Sequence, residues 1–105
     1  CAVWPHGTRP ADFHAPFVSS IPALLLSGER DPVTPPRYAE EVLKGLSDAR
    51  ALTAKGMGHS VLARGCVPRL VDEFVANLQP KKLDASCLER LGPVPAFVTF
   101  NGASP

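Results

Sequence analysis

Two turns in this 105-residue chain carry side chains able to exchange a proton. One reads Ser27-Gly28-Glu29-Arg30-Asp31-Pro32-Val33-Thr34-Pro35-Pro36 and follows the apolar run at 21–26. The other reads Lys55-Gly56-Met57-Gly58-His59-Ser60 and follows the run at 50–54. A carboxylate that accepts a hydrogen bond from an imidazole selects its tautomer and stabilises the imidazolium. Asp31 is the candidate for that acid, with Pro32 fixing the backbone angle after it. His59 is the candidate base, because Gly56 and Gly58 clear side chains from around it and allow a tight turn. Taken singly, Asp31 reads as an ordinary turn-forming Asp before Pro, and His59 as an exposed loop histidine. Taken together they gain weight, since both follow strand-like runs and both sit in turns of special geometry. Glu29 is a rival acid two residues earlier, ranked below Asp31, and Arg30 either neutralises one of the two or faces solvent.

A base and an acid need a nucleophile to activate, and none is evident. Ser60 adjoins His59 in sequence and is badly placed to offer its hydroxyl to that ring. Ser27 ends a strand but lacks the flanking glycines of a G-x-S-x-G elbow, a motif absent from the whole chain. Cys66 is conceivable as a thiol nucleophile, but it is expected to be bonded to Cys87. His6 and His14 lie in a Pro-rich stretch and read as surface residues. No H-x-x-x-H or H-E-x-x-H spacing supports a metal site, and no cofactor is expected.

The elements that must position the pair follow from the apolar pattern. Residues 1–20 are Pro-rich and aromatic and predict an extended lead-in, with Trp4, Phe13 and Phe17 available to pack on something apolar. The run at 21–27 is continuously apolar, as in a parallel strand covered on both faces, and Pro22 is tolerable at its start. Thr34 is placed to cap the next helix, with Pro35 and Pro36 in its first turn. Tyr38, Ala39, Val42, Leu43 and Leu46 give that helix its apolar spacing, and it should end near 45–47. A weaker strand is expected over 49–54. Pro68 then starts a second helix, whose apolar face is Leu70, Val71, Phe74, Val75 and Leu78, and Pro80 stops it. Residues 79–105 read as an irregular tail containing the short apolar Phe97-Val98-Thr99-Phe100.

The fold class is therefore α/β, with strand, helix, strand and helix over 21–78 and parallel strands joined by a crossover. The chain is one partial domain over 1–105. Two strands are too few to cover Leu24-Leu25-Leu26 on both sides, so further strands are expected from a longer polypeptide or a second copy. The chain opens at Cys1 with no initiator Met, which places its start after a processing cut or inside a longer parent. A net charge of +1 gives no electrostatic footprint for nucleic acid, and no apolar run approaches the roughly 20 residues of a membrane span. Three cysteines leave one over. Pairing Cys66 with Cys87 pins a tail with little else to hold it and stabilises by roughly 3 kcal/mol. Cys1 is then left for a partner on another chain or on upstream sequence. Three reduced thiols in a cytosolic protein are the alternative.

The block Leu24-Leu25-Leu26-Ser27-Gly28-Glu29-Arg30-Asp31-Pro32-Val33-Thr34-Pro35-Pro36, the Gly56-Met57-Gly58-His59 turn, the Arg64-Gly65-Cys66-Val67-Pro68-Arg69-Leu70 stretch and the Ala85-Ser86-Cys87-Leu88 tail together resemble the C-terminal region of exported α/β-hydrolases. The resemblance is to the tripeptidyl-aminopeptidase-like (TAP-like) family, a relative of the proline iminopeptidases, and runs from Cys1 to about Phe100. It implies that Asp31 and His59 are the last two members of a Ser-Asp-His triad, delivered after the serine in that order. It also implies a secreted or cell-envelope location, the Cys66–Cys87 bridge and an upstream partner for Cys1. The nucleophile elbow, oxyanion hole and lid of the family are absent from this chain. The expectation is a C-terminal portion of a serine hydrolase or peptidase, inactive alone. It would act on a peptide or ester only when complemented by the missing N-terminal portion. The rival is a small non-enzymatic module that self-associates, a homo-oligomer in isolation, through its sheet edge and apolar lead-in.

Overall fold

The computed structural model describes residues 3–93. Two strands, β1 (Ala23–Gly28) and β2 (Ala49–Ala54), pair in parallel, with Ala23 opposite Ala49 and Gly28 opposite Ala54. Helix α1 (Pro36–Leu43) connects them, and α2 (Val67–Asn77) follows β2. Two short 3-10 turns, Pro80–Lys82 and Ser86–Arg90, organise the beginning of the tail. The strand-helix-strand-helix order is the expected one.

β2 spans the expected residues, whereas β1 is shifted. Pro22 has no N–H, so the ladder opens one residue later, where the Ala23 N–H donates to the Asp48 carbonyl at 3.0 Å. At the other end Gly28 stays in the strand, and the Glu29 N–H closes the ladder on the Ala54 carbonyl at 3.0 Å. Upstream, the lead-in touches this sheet through a single parallel bridge between Ser19 and Leu46. Its Trp4, Phe13, Phe17, Val18 and Ile21 are all exposed.

The core lies on one side of the sheet. Leu52, Val67, Leu70, Leu83, Cys87 and Leu88 form a buried cluster, with Leu24, Leu26, Val71, Phe74 and Leu91 packed on it. Leu24, Leu26 and Leu52 share a face because side chains alternate along a strand and Leu26 is in register with Leu52. On α2 the expected apolar face is only partly used. Leu70, Val71 and Phe74 turn inward, joined by Val67, while Val75 and Leu78 are exposed. At 100° per residue Val75 falls at the flank of the stripe centred near Val67. Leu78 is no longer helical, being a left-handed C-cap with φ 51°.

α1 contacts both strands but buries none of its residues fully, and its Tyr38 and Val42 are exposed. Leu24, Leu25 and Leu26 remain only partly buried. Among the described residues β1 has β2 as its one ladder partner, short of the two-sided cover that its continuously apolar sequence suits.

The tail is pinned as expected by a disulfide between Cys66 and Cys87. Arg50 adds a hydrogen bond from its guanidinium to the Leu83 carbonyl, and Lys81 donates to the Ser47 carbonyl at 2.7 Å. Cys1 and the Phe97-Val98-Thr99-Phe100 run lie outside the described residues.

Candidate active site

Asp31 and His59 meet at the carboxyl ends of the two strands. The His59 Nδ1 lies 2.9 Å from Asp31 Oδ2, and the sequence separation of 28 is closed by the parallel pairing beneath them. The two turns are interlocked by backbone. The Arg30 N–H donates to the Met57 carbonyl at 2.9 Å. Gly28 lies against the carbonyls of Met57 and Gly58, so close that a Cβ there would overlap both. A glycine at this position is thus a condition of the two turns touching.

The Asp31 carboxylate is buried and fully engaged. Its Oδ1 accepts the N–H groups of Val33 at 2.8 Å and Thr34 at 3.0 Å. Its Oδ2 accepts the Thr34 hydroxyl at 2.7 Å as well as the His59 ring. Burial by itself raises the carboxyl's pKa. The hydrogen bonds from Thr34 backbone and hydroxyl, from His59 and from the Val33 N–H outweigh it and hold the group well below the usual carboxylate range. Asp31 is therefore ionised at neutral pH and can only accept, so the proton on the shared contact belongs to His59 Nδ1. In the neutral ring that leaves Nε2 unprotonated and basic. The His59 side chain is 57% exposed against 2% for Asp31. Among the described residues no partner occupies Nε2, and no Ser, Thr or Cys side chain hydrogen-bonds to it.

Glu29, the rival acid, is not brought to the imidazole. Its Oε2 accepts the Gly56 N–H at 2.8 Å and so braces the start of the His59 turn against the end of β1. Ser27 is buried in β1, and Cys66 is bonded to Cys87 and has no thiol to ionise. The thiol-enzyme reading ends there. Among the described residues no group of three or more His, Cys, Asp or Glu side chains could hold a metal ion, and no helix is long and apolar enough to cross a membrane.

Thr34 is the residue that sequence reasoning misplaced. It does not cap α1, whose N-cap is Pro35 with no side-chain cap bond. Its hydroxyl goes to Asp31 instead, and its Oγ1 also lies 3.2 Å from His59 Nδ1. The signal was present in the spacing. An Asp followed two and three residues later by free N–H groups closes a side-chain-to-backbone turn, and a Thr at the third position adds a hydroxyl to the same carboxylate.

The tail reaches the other turn. Gly56 has φ +68°, in the left-handed region, and its missing Cβ would overlap the Pro93 nitrogen. Gly65, with φ +50°, has Leu91 Cδ2 in the same relation. Both ends of the segment carrying His59 thus touch residues that follow Cys87. A groove of about 630 Å³ between residues 14–18 and α1, lined by Phe17, Val42 and Lys44 among others, includes neither Asp31 nor His59.

A family model described as TAP-like protein matches residues 1–87. No curated protein and no solved structure gives a significant match to the chain.

Proposed function

The chain belongs to the TAP-like family, an α/β-hydrolase C-terminal region, and from that premise we propose that Asp31 and His59 are the acid and base of a serine hydrolase centre. The observation that carries the proposal is the 2.9 Å contact between the buried, ionised Asp31 and the Nδ1 of an imidazole whose Nε2 is open to a substrate-side partner. The nucleophile is a serine on polypeptide outside these residues, presented on a G-x-S-x-G elbow.

The residues of this chain would act as follows. His59 Nε2 accepts the serine proton while the serine oxygen bonds to the carbonyl carbon of a peptide or ester. The resulting imidazolium is stabilised by Asp31, which stays ionised and keeps the ring oriented. Nε2–H then gives its proton to the leaving amine or alcohol as the carbon–heteroatom bond breaks. Water, deprotonated by the same Nε2, releases the acyl group and restores the serine. The Cys66–Cys87 bridge supports an exported location, since such bonds persist in oxidising compartments.

Complementation tests this function. The chain is mixed with an N-terminal α/β-hydrolase portion bearing the elbow, and hydrolysis of a nitrophenyl ester and an aminoacyl nitroanilide is followed. Activity should appear only with both parts and vanish in His59→Ala. Activity retained at full level by His59→Ala would overturn the assignment.

A second reading, a self-associating module without enzymatic activity, is favoured by the exposed Trp4, Phe13, Phe17, Val18 and Ile21. Sedimentation decides it, because a monomer across the accessible concentration range excludes obligate self-association.

A further inference from the structure

We propose that Thr34 is a positioning residue, which holds the Asp31–His59 pair in the one proton arrangement that leaves Nε2 unprotonated. The inference rests on the acid–base reading of that pair and assigns a function to a side chain outside it. Three atoms form a closed triangle: Thr34 Oγ1 to Asp31 Oδ2 at 2.7 Å, Asp31 Oδ2 to His59 Nδ1 at 2.9 Å, and His59 Nδ1 to Thr34 Oγ1 at 3.2 Å.

A hydroxyl has one proton and two lone pairs, and an ionised carboxylate has no proton to give. The Thr34 proton must then lie on the edge toward Oδ2, which leaves a hydroxyl lone pair facing Nδ1. An Nδ1–H completes the triangle by donating between the two oxygens. With the proton on Nε2 instead, the Nδ1 lone pair would face the carboxylate oxygen. Only by turning its hydroxyl away from Asp31 could Thr34 serve that tautomer, at the loss of the 2.7 Å bond. The triangle therefore closes for Nδ1–H and not for its alternative. It closes equally well for the imidazolium, so proton uptake at Nε2 requires no rearrangement on the Nδ1 side, the condition for preorganised stabilisation.

The hydroxyl is available for this task because of the sequence that follows. Pro35 rather than Thr34 is the N-cap of α1, and the Tyr38 N–H donates to the Pro35 carbonyl at 2.9 Å, so Thr34 stands one residue outside the capping position. A Thr placed before a helix would ordinarily turn its oxygen onto the helix. Here it turns back toward position 31. The β-branched side chain also restricts rotation about χ1.

Nitrogen NMR of the full chain, labelled at histidine, measures the tautomer ratio of His59. The unaltered chain should show Nδ1–H as the dominant neutral form. Thr34→Val should lower the Nδ1–H to Nε2–H ratio roughly fivefold, the worth of one ordinary hydrogen bond, while Thr34→Ser should keep it. Thr34 is exposed, so neither change opens a core cavity, and Thr34→Ala replaces Thr34→Val should the latter fail to give a folded amide spectrum. An unchanged ratio in the hydroxyl-free variant overturns the inference. An equal fall in Thr34→Ser does so too, because the methyl group rather than the hydroxyl would then be responsible. Failure of the underlying pair has a different signature: the unaltered chain would itself lack Nδ1–H, and Asp31→Asn would leave the ratio where it was.

Discussion

In the Asp31 turn the carboxylate takes four hydrogen bonds, and three of them come from Val33 and Thr34, two and three residues away. In the His59 turn the ring is held at one nitrogen, and the backbone around it depends on distant parts of the chain. Glu29 bonds Gly56, Gly28 abuts Met57 and Gly58, and Leu91 and Pro93 lie on Gly65 and Gly56. The carboxylate is thus placed by local sequence and the imidazole by tertiary structure. The two should fail in different ways. Substitutions that spare the segment 31–34 should leave the carboxylate in place. The imidazole should be lost to changes far from it.

The widest separation is expected in catalysis once the chain is complemented. Asp31→Asn should reduce kcat about 10⁴-fold, as loss of the correct tautomer does in serine hydrolases, with KM little altered. Acid unfolding sharpens the same contrast. Because the Asp31 carboxyl is depressed in the folded chain, the unfolded state takes up its proton first as pH falls. The stability it contributes is complete above the ordinary carboxylate range near pH 4 and declines below it. Urea unfolding at stepped pH should show that decline, and Asp31→Asn should remove its share.

Next in size is the bridge. Replacing Cys66 and Cys87 by Ser should cost about 3 kcal/mol in chemical denaturation. Hydrogen exchange should then rise first over 56–65 and leave 31–34 protected. Simultaneous loss of protection in both segments would break the comparison. Gly28→Ala should cost roughly 1–3 kcal/mol, because its new methyl meets the Met57 and Gly58 carbonyls, and it should lengthen the Asp31–His59 contact without disturbing the Asp31 turn. The smallest effect belongs to Glu29→Ala, which removes one exposed hydrogen bond to Gly56 and should cost about 1 kcal/mol or less in the same denaturation assay.

The same division explains what could be read before the structure. Period and breakers locate both strands and both helices, although α1 stops at Leu43, short of the expected 45–47, and Leu46 instead bridges Ser19; β2 falls on its expected residues because its neighbours Asp48 and Lys55 are turn-like. β1 shifts because Pro22 cannot enter a ladder and Gly28 can. The meeting of Asp31 and His59 was legible, since parallel strands deliver their following turns to one rim. Thr34 satisfies two local patterns at once, a cap on the following helix and a turn closing on Asp31, and only the position of the N-cap at Pro35 separates them. The exposure of Val75 was not legible, because it depends on where α2 centres its stripe. The packing of Leu91 and Pro93 against two left-handed glycines is a long-range contact for which no local pattern exists.

That last contact ties the His59 turn to the tail. The segment beyond Cys87 is a clasp: fastened to Cys66, it lies against both ends of the stretch that carries His59. Opening that clasp by reduction should loosen the imidazole before it loosens the carboxylate.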